Sequence, residues 1–336
     1  MKALLVPGVS VAVFDSGRII WARGYGQRDK QLSQPVDTGT LFQAASISKP
    51  VTTVGMFTLV EKKSISLDED VNLILKRWKV PDNAFTDTQK VTPRRIVSHM
   101  AGLTVHGFAG YNPTAPLPDL PDILNGAPPA NSPPVRVEAV PGTREIYSGG
   151  GFTVLQSLIE DVTGQPFATF EKDHVLTPAG MTQSTSEQPL PGYLIPIASK
   201  GYHANGDMVD GGYHVYPERA AAGLWTTPSD YARFLLSIDR SYRGEPGLLQ
   251  QATVREMLIK VPGGGGLGFG IDGSGDSFRI RHNGQNAGFS CYAVSFPQFG
   301  RGVVIMTNTD QGDELIHELI HAIAREYHWL PMWPKE

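Results

Sequence analysis

Valine recurs at every second position from Val9 through Val11 to Val13, the chain turns at Asp15-Ser16-Gly17, and an extended pattern resumes over 18–25. Two such runs split by a polar, glycine-containing turn predict a β-hairpin, so the chain opens with sheet. Over about 46–62 the period changes: Val51, Val54, Phe57, Leu59 and Val60 supply an apolar side, and Pro50 falls in the first turn, where a helix tolerates it. Helical patterns return over 92–100 and 151–163. Between them, 113–141 is so rich in proline that no regular structure is expected, and a loop of that length in a compact protein is either functional or disordered. Thr226-Thr227-Pro228-Ser229-Asp230 offers a hydroxyl cap and a first-turn proline, which predicts a helix through about Ile238. Strands are expected over 278–281, 289–296 and 301–307, with a turn at 297–300, and a helix over 313–327 closes the chain.

Sheet, then a long mostly helical insertion, then antiparallel sheet and a final helix predict an α/β (α+β) protein of two lobes. A discontinuous α/β domain is expected over 1–62 and 225–336, and a mostly helical domain over 63–224. The length of 336 residues agrees with two domains or with one large domain carrying an insertion. There is no internal repeat.

Composition narrows the class of partner. A net charge of −4, with 40% hydrophobic and 18% charged residues, describes an ordinary globular chain. No Lys/Arg run exceeds a pair, so a phosphate-tracking stripe has no support and nucleic acid is not an expected partner. No apolar stretch approaches the roughly 20 residues needed to span a bilayer. Cys291 stands alone, which excludes an intramolecular disulfide and a cysteine-based zinc cluster. The first residues, Met1-Lys2-Ala3-Leu4-Leu5-Val6-Pro7, begin like a signal peptide but lack a long apolar region. Localisation is left open: cytoplasmic is the expectation for the chain as written, periplasmic or secreted if a signal peptide was trimmed.

Ser46-Ile47-Ser48-Lys49 sets a hydroxyl and an amine three residues apart at a predicted helix start, on one face about one turn apart. A serine needs a neighbour to take its proton, and a lysine can do so when its surroundings favour the neutral amine. The helix N-terminus adds free amides and a positive dipole end. Lys49 is the only lysine with a serine three positions before it. Tyr147-Ser148-Gly149 follows a Pro-Gly turn and precedes a predicted helix, where the phenol could relay a proton beside a cation. His282-Asn283-Gly284 sits where a predicted strand ends and enters a Gly-rich turn, and the next amide, on Gln285, could point at a substrate oxygen. Each motif alone is more often structural than chemical.

Together, in this order and spacing, they resemble the serine hydrolases of the β-lactamase and penicillin-binding fold, and within it the class C-like branch that includes family VIII carboxylesterases. The likeness runs over nearly the whole chain, through Pro7-Gly8-Val9-Ser10-Val11-Ala12-Val13, Ser98-His99-Met100-Ala101-Gly102-Leu103, Ala222-Gly223-Leu224-Trp225-Thr226-Thr227 and Val303-Val304-Ile305-Met306-Thr307-Asn308. It implies a β-lactamase/transpeptidase-like fold, with Ser46 as acylated nucleophile, Lys49 as its partner and Tyr147 as proton shuttle. It further implies the amides of Ser46 and Gln285 as oxyanion hole and His282, Gly284 and Gly149 as substrate-binding positions. Three departures matter. Gly149 stands where β-lactamases of this branch carry an asparagine that holds an acylamino side chain. His282 stands where a strand lysine is usual, so a fixed positive charge is lost, although histidine could supply one when protonated. The family's helix ahead of the first strand is also missing.

These departures favour a carboxylesterase on short-chain esters over the alternative, a β-lactamase or D-Ala-D-Ala carboxypeptidase; a non-catalytic binding protein on the same fold is a further alternative. A small-molecule ester or amide is the expected partner, no cofactor or metal is called for, and the oligomeric state is left open. The proline-rich 113–141 segment is expected near the cleft, narrowing its entrance. His317-Glu318-Leu319-Ile320-His321 matches the HExxH pattern of zinc proteases. At 100° per residue, however, Leu315, Ile316, Leu319, Ile320, Ile323 and Tyr327 fall on one side and both histidines on the other, toward solvent. Ala324 and Tyr327 stand where a metzincin would need Gly and His. The glycine run 263–266 lacks the Lys-Ser/Thr of a phosphate loop and reads as a flexible turn, and no Gly-x-Ser-x-Gly elbow occurs.

Overall fold

The computed structural model describes residue 1 and residues 3–329; Lys2 and the end of the expected 225–336 domain lie outside the described residues. Its centre is an antiparallel seven-stranded sheet of order β3-β2-β1-β9-β8-β7-β6. The strands are β1 (Gly8–Asp15), β2 (Arg18–Asp29), β3 (Gln34–Pro35), β6 (Gly270–Asp272), β7 (Arg279–Asn286), β8 (Phe289–Phe296) and β9 (Arg301–Thr307). The opening hairpin forms as its pattern predicts: Asp15 pairs with Arg18 across a two-residue turn in which Ser16 and Gly17 both have positive φ, 51° and 78°. That turn matches the twist of the flanking strands.

β1 is buried on both faces, and small Gly8, Ser10 and Ala12 alternate with Val9, Val11 and Val13. Val9, Val11 and Val13 share a buried cluster with Leu315, Ile316, Ile320 and Ile323 of the Gly312–Glu326 helix, which packs on β8 and β9. Ala12 and Phe14 face the other way, into the core that holds Ile47, Val51, Phe234 and Ile238. The last of these belong to the Pro228–Arg243 helix, capped by Thr227 and ended by Gly244 at φ 83°. It runs five residues past Ile238 because buried side chains continue to Ser241 and the first residue able to take the left-handed C-cap is Gly244.

Two expectations are corrected. The proline-rich 113–141 segment contains a helix, Leu120–Asn125: Asp119 accepts from the Asp122 amide, Pro121 lies in the first turn, and Gly126 ends it at φ 64°. Proline there begins a helix rather than breaking one. The strand expected to stop at 281 continues as β7 to Asn286, because pairing with β8 persists through Gly284–Cys291 and Asn286–Phe289. His282-Asn283-Gly284 therefore lies mid-strand, and the turn falls at Ala287-Gly288, with Gly288 at φ 77°.

A second pairing positions the chemistry. β4 (Phe42–Gln43) pairs with β5 (Trp225–Thr226), so the segment before Ser46 is fastened to the segment that follows the short Arg219–Ala222 helix. Ser48–Glu61 and Gly149–Thr163 are the long helices beside it. Among the described residues, no helix is long and apolar enough to cross a membrane.

Candidate active site

The helix expected over 46–62 is regular from Ser48 to Glu61, and Ala45–Ile47 form a single tighter turn ahead of it. Ala45 holds φ at 50°, in the left-handed region, which costs about 1–2 kcal/mol for a residue with a Cβ. The surrounding bonds over-determine that conformation. Ser48 Oγ donates to the Ala45 carbonyl at 2.6 Å and accepts from the Leu224 amide at 3.1 Å, while Tyr231 Oη donates to the Ile47 carbonyl at 2.9 Å. From Leu41 to Phe57 only Ser46 is not fully buried, so the turn offers one hydroxyl to the solvent side.

Lys49 is 2% exposed. Its Nζ donates to Ser46 Oγ at 3.0 Å and to the Ala221 carbonyl at 2.9 Å. It also lies 4.9 Å from the ring centroid of Tyr147 and 5.6 Å from that of Phe152. One helical turn joins Ser46 to Lys49; Tyr147 arrives from another segment. It precedes the Gly149–Thr163 helix, whose N-cap Ser148 accepts from the Gly151 amide and donates to the Thr104 carbonyl at 2.6 Å. His106 Nδ1 donates to the Tyr147 carbonyl at 2.6 Å, and His99 Nδ1 accepts from the Ser148 amide at 3.1 Å. Because a carbonyl can only accept and an amide only donate, these contacts place the proton on Nδ1 of His106 and leave Nδ1 of His99 bare.

β7 closes the other wall. β6 pairs only with residues 279–281, so from His282 onward that edge of β7 is free of β6 and packs against the Ala45–Ile47 turn. Gly284 is required there. A Cβ at this position would stand 2.5 Å from the Ala44 carbonyl oxygen, 2.6 Å from Cys291 Sγ and 3.0 Å from the Ser46 nitrogen. Cys291 Sγ donates to the Ala44 carbonyl at 3.0 Å, and Asn286 Nδ2 donates to Gln43 Oε1 at 2.9 Å, tying strand to turn. Gln285 follows Gly284 on the same strand, with its side-chain amide donating to the Asp310 carbonyl at 3.2 Å.

Burial, and secondarily the nearby Lys49 charge, pull the His282 imidazole down to about 3. Its Nδ1 donates to the Asn283 carbonyl at 2.6 Å. His282 is therefore neutral near neutral pH and does not replace the positive charge of a strand lysine. His99 is held well below the ordinary histidine range by burial first, then by Lys49 and His282.

Tyr147, His99 and His282 open onto a cleft of about 300 Å³ whose far side is the glycine turn 264–266, with exposed Lys260 and Glu145 at its rim. No residue of 113–141 lines this cleft, contrary to expectation. The loop 104–108 instead packs against Gly149 and Gly150: their amides donate to the His106 and Val105 carbonyls at 3.2 and 2.9 Å. Sequence reasoning assigned no role to His99, His106 or Phe108, although His99 lies inside a segment quoted for the family likeness. The HExxH helix lies against the opposite face of the sheet, with His317 and Glu318 exposed and His321 half-buried. Among the described residues, no group of three or more His, Cys, Asp or Glu side chains is placed to hold a metal ion.

A model of the Beta-lactamase family matches residues 1–327. Protein flp of Staphylococcus aureus (strain MW2) is 22% identical over 318 residues, which cover 90% of this chain but 60% of that protein. The chain thus spans less than two thirds of the length of this relative. Among solved structures, the D-amino acid amidase of Ochrobactrum anthropi SV3 complexed with L-phenylalanine superposes with a TM-score of 0.76 at 21% identity, covering 96% of this chain and 95% of that one. EstCE1, described as a hydrolase with promiscuous acyltransferase activity, gives 0.73 at 20% identity, covering 92% and 90%. At such identities the likeness establishes the β-lactamase/transpeptidase-like fold.

Proposed function

Because the chain belongs to the Beta-lactamase family, a family of serine hydrolases, we propose that it hydrolyses short-chain carboxylic esters through an acyl-enzyme on Ser46. The observation that carries this reading is the buried Lys49 amine 3.0 Å from Ser46 Oγ. In the neutral form that amine takes the hydroxyl proton as Oγ attacks the carbonyl carbon. The amides of Ser46 and Gln285 hold the tetrahedral oxyanion, and Tyr147 with Lys49 returns the proton to the departing alkoxide. Water then repeats the sequence on the acyl-enzyme, releasing the acid and restoring Ser46. The helix-flanked sheet, 1–62 with 225–336, and the 63–224 lobe are assigned as the two walls of this site.

Preference for esters over lactams rests on two positions. Gly149 offers no side-chain amide, and His282 is neutral, so an acylamino group and a carboxylate both lack a partner there. A missing buried hydrogen bond costs roughly 1–3 kcal/mol, about one to two orders of magnitude in rate. One observation favours the second reading, a β-lactamase or D-Ala-D-Ala carboxypeptidase: exposed Lys260 at the cleft rim offers a cation to a substrate carboxylate. The test is kcat/KM for p-nitrophenyl butyrate against nitrocefin on one preparation, with fluorophosphonate labelling read by mass spectrometry. The ester is expected to be faster and the adduct to sit on Ser46 and vanish in Ser46→Ala. Nitrocefin turnover at or above the ester rate selects the second reading, and an adduct on another serine overturns the nucleophile.

A further inference from the structure

We propose that Phe108 sets the acyl-group selectivity of the site, walling an apolar, size-limited acyl subsite beside Gly149. The proposal rests on Ser46 acting as the acylated nucleophile. A Cβ built on Gly149 would stand 2.9 Å from Phe108 Cε2, 3.4 Å from its Cδ2 and 3.2 Å from the His106 carbonyl oxygen. The first distance is below any ordinary carbon–carbon contact, so the ring occupies the room that a side chain at 149 would take.

The backbone that carries the ring is held on both sides. Ahead of it, His106 bonds the Tyr147 carbonyl through Nδ1 and accepts the Gly149 amide through its own carbonyl. Behind it, the Ala109 carbonyl accepts from His214 Nδ1 at 2.8 Å and from Tyr216 Oη at 3.3 Å. Phe108 is half-buried and packs against the main core, with the rest of its surface open. Carried on a backbone anchored on both sides, it is an apolar wall against Gly149, which is two residues past the candidate proton shuttle Tyr147.

The acyl group, rather than the alcohol, falls on this side. The leaving oxygen needs the proton that Tyr147 and Lys49 deliver, and Tyr147 lines the open cleft that runs toward Lys260 and Glu145. That cleft has an exposed rim through which a product can leave; Gly149 and Phe108 are not among its lining residues, and neither are Ser46 and Lys49, whose amine lies 4.9 Å from the ring centroid of Tyr147 at its edge. With the alcohol there, the acyl chain is directed to the Gly149–Phe108 side. Its substrates are thus esters of small, unsubstituted apolar acids, since the ring provides contact but no donor or acceptor.

The experiment compares wild type, Phe108→Ala, Phe108→Leu, Gly149→Asn and the Phe108→Ala/Gly149→Asn pair on p-nitrophenyl acetate, butyrate and octanoate. Phe108→Ala is expected to raise the octanoate-to-acetate ratio of kcat/KM about tenfold, with Phe108→Leu between it and wild type, the scale set by burying a few more methylenes. Gly149→Asn alone is expected to lose at least tenfold on acetate, and Phe108→Ala in the same chain to recover most of that loss, a coupling that distant sites do not show. A ratio unchanged within about twofold in both Phe108 variants overturns the proposal. So does a change that, on methyl, butyl and octyl acetates assayed alongside, follows the alcohol chain length and not the acyl chain length. In parallel, rates of Ser46 labelling by methyl- and octyl-substituted fluorophosphonates are measured on the same variants. If no ester is turned over, the esterase reading fails while the octyl-to-methyl labelling ratio still decides the role of Phe108.

Discussion

Glu171 lies beneath the helix that carries Lys49, fully enclosed, and burial pushes its carboxyl from an ordinary 4.5 up to about 8. Its hydrogen-bonding neighbours oppose that rise without outweighing burial. Thr52 Oγ1 gives its proton chiefly to the Ala220 carbonyl at 2.9 Å and lies 3.5 Å from Glu171 Oε1. Ser186 Oγ donates to Oε2. Below about pH 4.5 the group is protonated in both the folded and the unfolded chain, and its stabilising share is fully present. Between that value and about 8 the unfolded chain loses the proton and the folded one keeps it, so stability falls with rising pH, and the loss is complete above the folded value. A shift of this size at about 1.4 kcal/mol per unit sets a ceiling of about 5 kcal/mol. Glu171→Gln keeps the shape, donates to Thr52 and accepts from Ser186, and removes the titration. Urea unfolding of both proteins at about pH 5 and about pH 8 measures the effect. The variant is expected to gain on wild type by several kcal/mol across that interval. Glu218 and Asp239, likewise buried and raised to about 7, contribute equally to both proteins and cancel. If the two stability curves stay parallel within about 1 kcal/mol, the carboxyl is ionised in the folded state and the reasoning is refuted.

Gly284→Ala places a methyl 2.5 Å from the Ala44 carbonyl oxygen and 3.0 Å from the Ser46 nitrogen. It is expected to lower kcat by at least about tenfold while urea unfolding moves by no more than about 1–3 kcal/mol; unchanged kcat would detach this strand from the nucleophile turn. His317 is exposed on the face of the last helix that points away from the sheet, so His317→Ala and prolonged EDTA treatment are each expected to leave ester hydrolysis within a few-fold of wild type. Activity lost to EDTA and restored by zinc would reverse that ranking.

What the sequence determined alone is what depends on neighbours along the chain. The Asp15–Arg18 hairpin, the proline-started helix after Thr227 and the apolar stripe of the last helix follow from local periodicity and caps. The 3.0 Å contact of Ser46 and Lys49 follows from a spacing of one helical turn. Framework segments carried the family likeness as well. Enclosure, and segments of the chain that meet from afar, set the rest. His282 reads in sequence as a possible cation; the folded surroundings enclose it at the cleft wall near the Lys49 charge, and together these pull its imidazole down to about 3. β7 runs to Asn286 because β8 is there to pair with it, and no pattern within 278–286 announces that partner. Gly149 reads as a missing side chain, yet the space is filled by Phe108, forty-one positions earlier, through a loop pinned by His106 and His214. Desolvation and steric filling are sums over atoms from many segments, and a linear pattern encodes only the contacts that its own period brings together.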